Sequence, residues 1–251
     1  MHFHLPKPLH GWREFAGEVG IIVVGVLIAL GAEQVVEELH QRAELHEAED
    51  GMTAELRDDD LPQAYARAAV FNCYADQLDA IEAAVASGDR AKTQLLAQAY
   101  RPPTRTWDEE AWKAAMASQV VANAGAKRMM GWSTAYVMIP ALAKRADDEQ
   151  QELPHLWAKL SGTGPLSQAQ QDRMFEIVSL LRRQNTSMTG GSLVLMRMEA
   201  AIGLTLARQQ KESLLAEARK VYGSCVIEPS PERLNLKAQL GVGGEKMIGR
   251  R

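Results

Sequence analysis

The chain has 251 residues, enough to bury a sizeable core without disulfide or metal staples. At 46% hydrophobic and 24% charged residues it is composed like a globular protein, which excludes disordered, collagen-like and disulfide-framework classes. A net charge of −4 gives no reason to expect nucleic acid as a partner.

In chain order, residues 1–14 form a short leader carrying Lys7 and Arg13. Val19 to Ala32 (VGIIVVGVLIALGA) then has no polar side chain and is bounded by Glu18 and Glu33. As a helix this run covers roughly 21 Å, short of the roughly 30 Å hydrocarbon core of a bilayer. Extended over 15–36 it is long enough to span, provided that Glu18 and Glu33 lie near the two interfaces. Trp12 and Phe15 suit the first interface. A cleaved signal peptide and a soluble core helix also fit an apolar run of this length, but Glu14 and Glu18 stand where a positive leader would be expected. The preferred reading is a transmembrane anchor at 15–36 with the lipid bilayer as its partner. Lys7 and Arg13 precede the span and only Arg42 follows within the next twenty or so residues, so the leader is expected in the cytoplasm and the rest outside the inner membrane.

Trp12-Arg13-Glu14-Phe15-Ala16-Gly17-Glu18-Val19-Gly20-Ile21-Ile22-Val23, continuing through Gly25-Val26-Leu27-Ile28-Ala29-Leu30, resembles the N-terminal signature of an uncharacterised family of short bacterial single-pass membrane proteins. The match lies mainly in residues 12–36, with a looser echo around Trp107 to Ser118. It implies an N-terminal anchor followed by a helical domain, and no activity, cofactor or catalytic residue. Within the anchor Glu18, Gly25, Ala29 and Ala32 fall at offsets of zero, seven, eleven and fourteen, hence on one helix face. Gly25 and Ala29 form a small-x-x-x-small pair that would let a second copy or another membrane protein approach closely.

Residues 37–60 read as an acidic helical stalk. Between Glu33 and Asp60 eleven acidic residues face only Arg42 and Arg57, a net of −9. Asp58-Asp59-Asp60 before Leu61-Pro62 predicts a helix stop, with Asp60 as the N-cap of the next helix. Residues 61–225 are expected to form a helical bundle. A helix over Pro62–Ser87 carries the seam Phe71, Tyr74, Leu78, Ile81 and Val85, and a short one follows from Asp89 to Tyr100. A fourth opens near Thr106, and another follows Gly131 and is kinked or ended by Pro140. A polar helix runs to about Leu160, and Ser161-Gly162-Thr163-Gly164-Pro165 is a loop. Ser167 caps a helix containing Met174, Ile177, Val178 and Leu181, and Gly190-Gly191 divides it from a last helix, Ser192–Tyr222. No strand alternation is evident, so the fold is expected to be all-α. Residues 226–251, with two prolines and Gly241-Val242-Gly243-Gly244, read as a flexible tail.

No catalytic constellation stands out, and no cofactor is expected. The glycine-rich tail with Lys246 lacks phosphate-loop spacing, and no G-x-S-x-G elbow is present. Glu37, His40, Glu44 and Glu47 share a stalk face, which a solvated polar surface explains as well as a metal would. His2, His4 and His155 have no visible partners. Cys73 and Cys225 could pair in an oxidising compartment and would stay thiols in the cytoplasm, and Cys73 reads equally as a small buried residue in a stripe of alanines. Trp107, Trp112, Trp132 and Tyr136 read as core. These features favour a membrane-tethered interaction or scaffold module; the alternatives are a partner-dependent periplasmic ligand sensor and an enzyme with an unfamiliar site.

Overall fold

The computed structural model describes residues 11–118, 120–158, 160 and 162–230, without the side chains of Glu14 and Ala158. Among them the chain is all-α, a long N-terminal apolar helix followed by a helical bundle. Helix α1, Trp12–Ala54, is unbroken over 43 residues, or about 65 Å at 1.5 Å per residue. Its described side chains are exposed as far as His40, and burial begins with Gln41 and Leu45 and becomes complete at Met52. The end of the acidic segment is thus part of the core.

The expected stop at Asp58-Asp59-Asp60 is absent. A π-turn, Glu55–Asp60, leads directly into α2, Leu61–Ala69. Leu61 N–H reaches back to the Leu56 carbonyl. In a regular helix the Pro62 ring would strike the Asp58 carbonyl, to which it has no N–H to offer, and the wider turn relieves that clash. Asp60 is helical in backbone, with no capping bond, and its side chain points into the core instead.

The helix anticipated over Pro62–Ser87 is two, since Val70 (φ −96°, ψ 6°) breaks α2 from α3, Phe71–Ala86. Helix α4, Arg90–Ala99, is capped by Asp89, whose carboxylate accepts from Lys92 N–H. Helices α5 (Glu110–Ala117), α6 (Ala126–Tyr136) and α7 (Ile139–Ala158) follow. Helix α6 ends at Tyr136, ahead of Pro140, and Pro140 opens the next helix without kinking it. This proline is the second residue of α7, where an N–H has no intrahelical acceptor to lose. Helix α8, Gln168–Ala201, opens on a Ser167/Gln170 capping box and runs straight through Gly190-Gly191, so the expected division there is overturned. The chain turns instead at Gly203, with φ +88°. Helix α9, Arg208–Tyr222, completes the bundle.

Helix α8 is the central element, and two apolar clusters lie along it. Met52, Leu56, Tyr136, Ile139, Leu142 and Leu195 form the cluster that receives α1. Leu78, Ile81, Leu156, Met174, Val178 and Leu181 form the other. Cys73 and Cys225 are joined by a disulfide, with Cα atoms 5.1 Å apart. Beyond it Val226 is buried and Ile227 N–H donates to the Ala69 carbonyl at 3.2 Å, so the segment expected to be free from residue 226 is docked at its start. His2, His4, Gly241–Gly244 and Lys246 lie outside the described residues.

Candidate functional site

The anchor is the first candidate. Helix α1 is long and apolar enough to cross a membrane, and none of its most apolar window is buried. Ile21, Ile22, Leu27 and Ile28 are more than three-fifths exposed, a concentration of bare aliphatic surface that a folded domain does not present to water. Glu18, Gly25, Ala29 and Ala32 are all exposed on this helix, with open space beside Gly25. On the stalk above, His40 pairs with Glu44 at 3.0 Å, and Glu37 accepts from Gln41. These are contacts along one solvated helix, and among the described residues no set of three or more His, Cys, Asp or Glu is arranged to hold a metal ion. His155 is exposed in α7.

The joint between anchor and bundle is the second. Leu56 and Ala64 enter the core on either side of Asp60, each four residues away, and the shared face takes the carboxyl with them. Leu195 does the same for Glu199 in the last turn of α8. Both acids are fully buried, and among the described residues no side chain bonds to any of their four carboxyl oxygens; only the Asp108 backbone approaches Asp60. Burial pushes Asp60 up to about 8, and the carboxylates of Glu55, Asp108 and Asp59 add to the rise, while the Asp108 backbone opposes it. Glu199 is pushed up to about 9 by burial and then by Asp60. Tyr136 in α6 faces the same region: its hydroxyl donates to Glu55 Oε1 at 2.8 Å, and Glu55 Oε2 accepts from Ala111 N–H. Trp112 stacks on Tyr136 at 5.3 Å, and Trp107 is buried nearby in the same cluster, so the aromatic group is core that walls the joint.

Sequence reading missed Asp60 and Glu199. The signal was there in part: each acid sits four residues from apolar positions on a core-facing stripe, where an acid is out of place. At Asp60 the capping rule competed, and the π-turn that settles the contest has no sequence pattern of its own.

A third candidate is a cavity of about 280 Å³ between α2, α8 and the docked C-terminal segment. Leu193, Met196 and Leu206 give it an apolar wall, Tyr65 contributes a buried hydroxyl with no partner, and Arg197 and Lys211 bring positive charge against the carboxylate of Glu228. A polar network lies deeper. Arg67 donates to Glu149 at 2.9 Å and Asn185 at 2.8 Å, and its guanidinium lies over the Tyr74 ring. These partners account for its burial as structure, not chemistry.

No family model, curated protein or solved structure matches the chain.

Proposed function

We propose that the chain is a single-pass protein of a bacterial inner membrane, with residues 1–14 in the cytoplasm and the helical domain in the periplasm, where it acts as an interaction or scaffold module. The observation that carries this reading is a bare apolar helix that continues without a break into the core of a bundle. Such a helix fixes the domain's height and facing relative to the bilayer, as a module displayed to partners requires. The disulfide supports an oxidising compartment. The resemblance of residues 12–36 to the bacterial single-pass family points the same way. The small-residue face at Gly25, Ala29 and Ala32 is the proposed contact for a second copy or a membrane-protein partner. Met130 in α6 and Val137, the residue that caps it, are seven residues apart and so share one face, each more than three-fifths exposed.

A second reading, the ligand sensor, is favoured by the cavity at Tyr65. Its apolar wall, unpartnered hydroxyl and two cationic side chains facing one carboxylate, Glu228, suit a small amphipathic ligand. One experiment separates the two: a photo-crosslinking amino acid placed at Met130 or Val137, and separately at Arg197, in intact membranes. The module reading expects one recurrent protein adduct from the α6 positions. A small-molecule adduct at Arg197 with no protein adduct at α6 favours the sensor. If no position captures anything but lipid, both readings fail.

A further inference from the structure

Two fully buried carboxyl groups, Glu199 with neither oxygen partnered and Asp60 with only the Asp108 backbone near it, are costly to hold in a core unless each keeps its proton. Their position makes the cost consequential. Asp60 closes the π-turn through which the anchor helix feeds the bundle, and Glu199 sits in the last turn of the central helix. The groups that face them are acidic from every side: Glu55 and Asp59 on the π-turn, Asp108 on the loop before α5, Tyr136 on α6 and the two carboxyls themselves. Among the described residues no Lys, Arg or His forms an ion pair with either acid. The Tyr136 hydroxyl donates to Glu55 and not to either buried acid. Nor is a metal ion an alternative occupant, because the described residues assemble no third ligand.

We propose that this joint is a proton-dependent lock, closed while Asp60 and Glu199 each hold a proton, and that their ionisation loosens the π-turn from α6 and α8 and so frees the bundle to move relative to its anchor. The direction follows from linkage. An unfolded carboxyl titrates near pH 4, whereas the buried pair holds its protons to about 8 and about 9. Between these limits the folded chain binds more protons than the unfolded one, so stability falls as pH rises, and the loss is complete once both acids ionise. Acid closes the lock and alkali opens it. The Glu55–Tyr136 pair next to it would be the first contact to part.

Trp107, Trp112 and Trp132 belong to the cluster around the joint and serve as built-in reporters. The full chain in lipid nanodiscs is titrated from pH 6 to 9.5, reading Trp emission, acrylamide quenching and the thermal midpoint, alongside Glu199→Gln and the Asp60→Asn/Glu199→Gln double variant. The lock predicts a midpoint that falls from pH 6 and levels off once both acids ionise, a red shift and increased quenching in the wild type as pH passes 8, and a flatter profile in each variant. Infrared difference spectra of the wild type should show a protonated-carboxyl band at pH 7, diminished in Glu199→Gln. That reading does not depend on the double variant folding. Absence of that band at pH 7, or identical pH profiles for wild type and folded variants, would overturn the proposal.

Discussion

Gly190 and Gly191 stand side by side in α8 with opposite surroundings. A Cβ at Gly191 would lie 2.8 Å from both Leu142 Cδ2 and Arg145 Nη1, whereas one at Gly190 would meet nothing within 4 Å. Gly191 lets α7 approach α8, while Gly190 only weakens the helix. Gly191→Ala should therefore cost about 1–3 kcal/mol through overpacking, and Gly190→Ala should be neutral or stabilising by up to about 1 kcal/mol. Urea unfolding of the two variants checks this, and equal midpoints would contradict it. The pair also shows why sequence reading placed a break here. Glycine doublets mark turns when nothing else is known, and whether a glycine turns the chain or admits a neighbour depends on packing across 49 positions from Leu142 to Gly191. Gly131 repeats the case, since the site of its missing Cβ is 2.8 Å from Ile202 Cγ2, and α6 runs through it.

Among the elements, those with a regular apolar face were legible. Met174, Ile177, Val178 and Leu181 are buried as their spacing implied, as are Phe71, Tyr74, Leu78, Ile81 and Val85. Boundaries were less so wherever two rules competed: Pro140 reads as a breaker or a first-turn residue, and Asp60 as a cap or a core group, with the same neighbours. The C-terminal segment was read from its prolines and glycines, but its first residues are held by Cys225, Val226 and Ile227. The disulfide joins positions 152 residues apart, and closing so long a loop restricts the unfolded chain strongly. Its removal in Cys73→Ala/Cys225→Ala should cost about 2–5 kcal/mol. Reductant should lower the thermal midpoint of the wild type and leave that of the variant unchanged. A wild-type midpoint indifferent to reductant would show that the bond contributes nothing.

At the scale of the whole molecule, the net charge of −4 separates into unlike parts. Residues 1–32 are neutral, residues 33–60 carry −9, and the remainder carries +5. The fold sets these in order along one axis: a bare apolar helix, an acidic exposed stalk, then the bundle that takes in the last turns of that stalk. Acidic groups repel an anionic bilayer surface within about a Debye length, so the stalk resists lying down on the membrane. On the proposed membrane reading, a helix passing from lipid into a bundle core would carry movement between the two, and the proposed lock at the joint would set the domain's placement.

The central claim is that α1 threads a membrane and holds the bundle outside the cytoplasm. Paired reporter fusions after Ser230 test it most directly. The account predicts active alkaline phosphatase and a dark cytoplasmic fluorescent protein in a bacterial host, with the chain retained in the membrane fraction after alkaline carbonate washing. Inactive phosphatase with a bright fluorescent fusion would reverse the orientation. Release of the full chain into the soluble fraction would contradict the anchor itself.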